Sequence, residues 1–521
     1  MTPDPATVAD VLRRQRLWAD KPLLVCDRTR LSYGEADERS AVLAQRLVAL
    51  GAGKGTHVGL LYPNSAEFVV AMLAATRIGA VVVPFSTFGT APEVRRQLVD
   101  SDVSVLLAAR SFRSHDYVQT LTDAVGARPT HGPVFSTAAP VLRHVLFDDQ
   151  DGDARGRVDD ALLRAMEDDV DGCDPLAVIY TSGSTSAPKG VVHTHAALLA
   201  HQRSLNEIRR LTADDRLFCN SPFFWIGGFA FGLLATLVAG ATLICSNATD
   251  AADTLDLLEA EKPTVTNGFI AGIAHLPRHP SFARRDLSSM RRGNLYPIMA
   301  AGARPADAEL RHNMLGMTET GSVVLLSGDD SDQPESRRGS FGFLAPGFQA
   351  RVVDPDTGCD VAVNTPGVLL LRGPFLMQGY YGRAREDCFD GDGWFDTGDL
   401  VRRDGDGVFY FIGRTGTMIK TAGANVAPGE VEKAIIAVIP DPDVVVHVVG
   451  LPDADRGQLV AAVIASDTEV DVTGLQETLR SHLSAYKIPR RVATVRHADI
   501  PILSSGKVDL SALRRLFGAL R

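Results

Sequence analysis

A chain of 521 residues is too long for one hydrophobic core and predicts two to four domains. Its composition, 45% hydrophobic and 22% charged, is that of a globular chain, and a net charge of −10 excludes a surface that holds nucleic acid by general electrostatics. Six scattered cysteines, none in C-x-x-C spacing, exclude a zinc ribbon or disulfide framework and point to a reducing, cytoplasmic setting.

The first residues, MTPDPATVAD, carry no basic and apolar leader, so no signal peptide is expected. From residue 33 helical and strand-like runs alternate: a helix at YGEADERSAVLAQRLVALGAG, a strand at HVGLLY, a helix at SAEFVVAMLAATRIGA, a strand at VVVPF, then APEVRRQLVDSD and VSVLLAA. That alternation predicts α/β architecture with a largely parallel sheet. Residues 111–170 are loop-rich and weakly patterned, and the alternation resumes at LAVIYTSGS. The uncharged run Phe223–Cys245 is long enough to span a bilayer. With Gly227–Gly228 before its helical part, Ala239–Gly240 after it and no Lys or Arg close by, it reads instead as a buried helix followed by a buried strand, with no membrane span. From about 340 to 412 the pattern becomes short strands and turns (FQARVVDPDTG, GVLLLRG, GVFYFIG), a β-rich subdomain. The last hundred or so residues return to α/β, and the glycine-rich GRTGT places a boundary near 414–417.

The chemistry begins at TSGSTSAPKG, residues 181–190. A strand runs into a turn whose N–H groups can form an anion nest, with Thr181, Ser182, Ser184 and Thr185 as added donors and Lys189 as the charge. It is not a Walker A loop, which needs G-x-x-x-x-G-K-[ST]; taken alone, a polar surface turn is an equal reading. The chain has only eight lysines among its basic residues, and an ammonium is a compact charge that a guanidinium does not replace.

The loop has companions: GMTETG at 316–321, WFDTGDL at 394–400, GRTGTMIKTAGANVAPGEVE at 413–432 and PILSSGK at 501–507. In this order they resemble the adenylate-forming superfamily, which includes acyl- and aryl-CoA ligases, adenylation domains and luciferases, and the resemblance covers nearly the whole chain. It implies an α/β fold: a large N-terminal domain of mainly parallel sheets and helices, 1–413, with a β-rich subdomain over about 340–413, and a small mobile α+β C-terminal lid, 414–521, hinged at 414–417. It implies ATP, Mg²⁺ and coenzyme A, with a carboxylic acid activated as its adenylate before a thiol attacks. At the matched positions Thr181, Ser182, Gly183, Ser184, Thr185 and Lys189 would hold phosphate, Gly302 and Ala303 the nucleotide, and Thr318 the α-phosphate. Glu319 would hold magnesium, a hard cation that takes oxygen ligands. Asp399 and Arg414 would meet the ribose. Lys507 would bridge carboxylate and α-phosphate during adenylation; Lys420 and Gly423 would face the site in the second step, with Gly416 as pivot.

The segment NSPFFWIGGF, 220–229, resembles the lining of the acyl pocket and thiol tunnel, with Trp225, Gly227 and Gly228 there and Gly316 nearby. Phe223, Phe224 and Trp225 stand where peptide-synthetase relatives pair an α-ammonium with aspartate. An unpaired buried ammonium is costly, so an apolar or aromatic acid is expected and an α-amino acid is not. Three features depart from the pattern: Ser186 in place of a loop glycine, Leu315 in place of an aromatic against adenine, and only twelve residues, RPADAELRHNML, between AAGA and GMTETG, room for a helix but no strand. The alternative readings are an acyl-AMP ligase that loads an acyl carrier protein and a non-catalytic nucleotide-binding relative.

Overall fold

The computed structural model describes residues 6–519 apart from 131, 148–157, 182–187, 416–418, 422–423, 427, 440, 442, 454–455, 469, 481, 484–486 and 504–507. The backbone divides into two compact units. The first runs to residue 349 and regains 372–390; the second holds 350–371 and the chain from 391 onward.

The first unit is built on two sheets. In one, Arg292–Gly293, Val265–Asn267, Arg216–Cys219, Thr242–Cys245 and Pro22–Cys26 run parallel in that order, and Thr29–Ser32 closes the edge antiparallel. In the other, the order is Gly379–Tyr380, Gly190–Thr194, Pro175–Tyr180, Val81–Pro84, His57–Leu61, Val105–Ala108 and His144–Phe147. The last five are parallel; the first two pair antiparallel. Helix Tyr33–Ala49 starts where expected because Ser32 and Glu35 form a capping box. Helix Ala66–Arg77 is buried at every position but Glu67 and packs on His57–Leu61, Val81–Pro84 and the preceding helix, which is why its sequence is apolar all round. One core cluster joins both sheets, from Leu24 through Val58 and Phe68 to Leu243.

The stretch read as loop-rich contains two helices, Tyr117–Val125 and Asp160–Asp169, and the edge strand His144–Phe147. The run Phe223–Cys245 forms a π-helix, Gly227–Leu234, a short α-helix, Ala235–Ala239, and a buried strand, Thr242–Cys245. Among the described residues no helix is long and apolar enough to cross a membrane. The helix expected between AAGA and GMTETG does not form. A single 3₁₀ turn, Ala308–Leu310, takes its place, and another, Ala301–Ala303, lies within AAGA. Arg304 precedes a proline and is extended, the Asp307 side chain accepts from the Glu309 N–H, and Asp332 accepts from the Ala306 N–H. Such local side-chain bonds compete with a helix ladder.

The second unit carries the four-stranded sheet Gln349–Val353, Gly367–Arg372, Phe395–Arg403 and Phe409–Arg414. It also carries a sheet of Ala424–Val426, Ile419–Thr421, Gly457–Ala465 and Val445–Asp453, with Arg491–Val495 parallel to Gly457–Ala465. Alternation along the long hairpin sorts its two faces. Val446, Val448, Ala462 and Ile464 meet Ile435 and Leu479, while Val449, Leu451, Ala461 and Val463 meet Leu513 and Phe517.

Candidate active site

The loop at 181–189 joins the antiparallel strands Pro175–Tyr180 and Gly190–Thr194, in which Gly190 lies opposite Tyr180. Its ends are pinned: the Thr181 N–H donates to the Lys189 carbonyl at 3.0 Å, and the Lys189 N–H to Thr181 Oγ1 at 3.4 Å. Ser182, Gly183, Ser184, Thr185 and Ser186 lie outside the described residues. Lys189 Nζ sits 4.8 Å from the centroid of the Tyr380 ring, within cation–π range. Tyr380 Oη donates to Glu319 Oε1 at 2.8 Å. Burial, and then the Glu319 carboxylate, push the phenol up, so Tyr380 keeps the proton it donates.

Glu319 rides on the turn Thr318–Thr320, between strands Leu315–Met317 and Ser322–Leu326. The turn closes at Gly321, whose φ of 68° is left-handed and where an added Cβ would lie 2.9 Å from Leu198 Cδ2. Helix His195–Arg209 and the strand before it hold this turn from below. His193 Nε2–H donates to the Thr318 carbonyl at 2.6 Å, Gln202 donates to the Gly321 carbonyl at 3.1 Å, and His201 Nε2–H to the Val323 carbonyl at 3.0 Å. Burial lowers His193 and His201 to about 4, so both rings are neutral at pH 7. Thr318 and Glu319 remain half-buried.

In the acyl segment, Gly228 is dictated by contact: a Cβ there would stand 2.1 Å from the Pro222 carbonyl oxygen. Asn64 fastens the turn before it, donating to the Ser221 carbonyl at 2.9 Å and accepting from the Phe223 N–H at 2.7 Å. Phe223 belongs to the core, its ring 5.3 Å from that of Phe68, and Phe224 is buried. Trp225 is half-buried, its ring 5.4 Å from Phe224 and 5.6 Å from the exposed Phe269. Gly227 opens the π-helix, and Gly316 sits exposed in the strand Leu315–Met317.

Gly302 and Ala303 border a cavity of about 390 Å³ with Arg291, Arg292, Arg311 and Asp330, beside the two-residue edge strand Arg292–Gly293. An adjoining cavity takes in Arg209, whose guanidinium lies 3.7 Å from the Phe231 ring centroid and which burial lowers to about 9.

In the second unit, Phe395–Arg403 and Phe409–Arg414 pair with Asp399 opposite Arg414. Arg414 Nε donates to Asp399 Oδ1 at 2.7 Å, and Asp399 is 1% exposed. Thr397 shapes the approach, accepting from the Asp399 N–H at 3.0 Å. Lys420 lies in the strand Ile419–Thr421, opposite Asn425. Gly416, Gly423 and Lys507 lie outside the described residues.

Among the described residues no group of three or more His, Cys, Asp and Glu is placed to cage a metal. A single carboxylate such as Glu319 is the donor set that suits magnesium carried by substrate phosphates. Tyr380, His193, His201, Gln202 and Asn64 escaped the sequence reading. The signal for Tyr380 is MQGYYG, 377–382, two tyrosines in a glycine-bounded segment.

Residues 12–381 match the family described as AMP-binding enzyme. A feruloyl-CoA synthase of Amycolatopsis sp is 30% identical over 97% of this chain and 98% of its own. The long-chain-fatty-acid--CoA ligase FadD13 of Mycobacterium tuberculosis (strain ATCC 25618 / H37Rv) is 31% identical over 94% of each chain. Among solved structures, ATP-bound MatB from Rhodopseudomonas palustris matches with a TM-score of 0.79 at 26% identity, over 98% of this chain and 99% of that one.

Proposed function

The chain belongs to the AMP-binding enzyme family, and on that premise we propose that it joins an apolar or aromatic carboxylic acid to AMP and passes the acyl group to a thiol, that of coenzyme A. The observation that carries this reading is the cluster in which the end of the 181–189 loop, the Tyr380 ring and the Glu319 carboxylate meet.

In the first step a substrate carboxylate oxygen attacks the α-phosphorus of ATP, and pyrophosphate leaves. Lys189 and the donors of the loop would take the β- and γ-phosphates, and Thr318 the α-phosphate. Magnesium at Glu319 would neutralise phosphate charge. Gly302 and Ala303 would border the base, and Asp399 would accept from the ribose hydroxyls beside Arg414. Lys507 would offset the negative charge that develops between carboxylate and α-phosphate. In the second step a thiolate attacks the acyl carbon and AMP leaves. Lys420 and Gly423 would serve this step, on a lid of residues 414–521 that turns at Gly416.

The acid is assigned from the acyl segment. Residues 220–229 contain no aspartate or glutamate to pair an ammonium, and the half-buried Trp225, backed by the buried Phe224, offers aromatic surface instead. The two relatives above are named for an aromatic acid and for long-chain fatty acids. Exchange of pyrophosphate into ATP across a panel of carboxylic acids tests the reading. Apolar or aromatic acids should exceed the matching α-amino acids by tenfold or more, for which about 1.4 kcal/mol suffices. Preferred exchange with any α-amino acid would overturn the substrate class, and no exchange with any acid would overturn the activity. Thioester formed on a carrier protein but not on coenzyme A would reassign the acceptor.

A further inference from the structure

Tyr380 lies outside the motifs singled out in the sequence, yet it touches both charged groups of the first unit's cluster. Its backbone is fixed from two sides. Strand Gly379–Tyr380 pairs with Gly190–Thr194, with Val191 opposite Tyr380. The flanking Gln378 and Tyr381 N–H groups donate to the carbonyls of Val192 and Gly190 at 2.9 and 2.7 Å. Three residues earlier, the Met377 N–H donates to the Glu319 carbonyl at 2.9 Å. The tyrosine is therefore tied by main chain to the strand that leaves the phosphate loop and to the turn that carries the carboxylate. From that fixed point the hydroxyl donates to Glu319 Oε1 at 2.8 Å, and Lys189 Nζ lies 4.8 Å from the ring centroid, with the Arg383 guanidinium 5.7 Å from the same centroid.

We propose that Tyr380 is a positioning residue for nucleotide binding, whose hydroxyl orients the Glu319 carboxylate toward magnesium while its ring carries the Lys189 ammonium at the phosphate loop. The proposal rests on the reading of the site as an ATP site. A glutamate on a half-buried turn has free rotamers unless one oxygen is engaged. With Oε1 held, the second oxygen is presented in one direction. A lysine on a flexible four-carbon stem gains a fixed perch from the π-face, worth more where water is partly excluded. One rigid side chain thus sets the spacing between a cation and an anion that must act on the same triphosphate.

The two functions separate by substitution. Tyr380→Phe keeps the ring and the strand pairing and removes only the hydroxyl; Tyr380→Leu removes both. ATP binding is measured by titration calorimetry, once in EDTA and once in excess Mg²⁺. In EDTA the phosphate-loop contacts dominate, and the gain on adding Mg²⁺ reports the Glu319 arm. Tyr380→Phe should bind ATP like the parent in EDTA and lose about tenfold of the magnesium-dependent gain, the scale of one hydrogen bond to a charged group. Tyr380→Leu should lose that gain and also weaken binding in EDTA severalfold. A parental magnesium gain in Tyr380→Phe overturns the proposal, as does equal behaviour of the two variants. A parent that binds no ATP in either buffer overturns the site reading itself, an outcome distinct from the other two.

Discussion

Asp399, the carboxylate proposed to accept from the ribose hydroxyls, is held in place: it is 1% exposed, with Arg414 Nε 2.7 Å away. The Arg414 side chain is 56% exposed, so it regains water if the aspartate is removed, and no buried charge is left unpaired. Asp399→Ala should therefore raise the KM for ATP about tenfold or more, the cost of lost charge-assisted hydrogen bonds, while a thermal melt moves by only a few degrees. Lys507 carries a different kind of expectation, since its proposed partner is charge that exists only in the transition state. Lys507→Ala should lose about 10²–10³-fold in acyl-adenylate formation and still convert supplied acyl-adenylate to thioester. Normal pyrophosphate exchange in that variant would remove the lysine from the first step. The candidates Lys189, Glu319 and Asp399 were named from the sequence because each stands in a glycine- and hydroxyl-rich motif that resembles the family's. His193 and Tyr380 were not. Each sits in a short strand that reads as packing, and each finds its partner far along the chain, Thr318 and Glu319.

The turn Thr318–Thr320 shows how much of the site depends on elements beneath it. Its ends are set by Gly321 at φ 68° and by donors from His193 and Gln202, while His201 holds Val323 in the strand that follows. Gly321→Ala imposes about 1–2 kcal/mol of backbone strain and presses a methyl group toward Leu198. The strain is relieved most cheaply by moving the turn, and Glu319 moves with it. Pyrophosphate exchange should fall at least tenfold while the thermal midpoint drops by only about 1–3 °C; a drop in stability with full exchange would mean that the turn does not place Glu319. The alternating runs from residue 33 to 108 were readable because each helix there has its own cap and each strand its own apolar run. The segment between AAGA and GMTETG was readable only in its length. Its conformation depends on Asp332, outside the segment, accepting from the Ala306 N–H, a contact that periodicity does not contain. The π-helical form of Gly227–Leu234 was equally hidden, since both helix types bury a run such as GGFAFGLL.

At the scale of the whole molecule two expectations differ in kind. Proline fixes φ near −65°, so Gly416→Pro should hold the proposed lid in one pose, sparing one half-reaction, with adenylation the expected survivor, while overall thioester formation falls sharply. Parental rates for both half-reactions, in a protein that melts normally, would remove 416 as the pivot. The second expectation follows from three imidazoles buried in the first unit. His193, His195 and His201 are each lowered from 6.5 to about 4, chiefly by burial. Partial compensation comes from the Thr318 carbonyl at His193, from Asp174 and Asp10 at His195, and from the Val323 carbonyl at His201, where His193 and then Arg209 oppose it. Unfolding releases these rings to water, where they take protons below pH 6.5 that the folded chain refuses. Stability is therefore unaffected by the three above pH 6.5 and is lost progressively as pH falls from 6.5 toward 4, at roughly 1 kcal/mol per pH unit for each ring. The thermal midpoint should drop steeply between pH 6.5 and 5, ahead of most carboxylate protonation. His201→Phe suits the space between Phe348 and Phe375 and removes one titrating ring, so its midpoint should fall less steeply over that interval, whatever its value at pH 7.5. An unchanged slope would mean that His201 titrates normally in the folded chain and that burial does not keep it neutral.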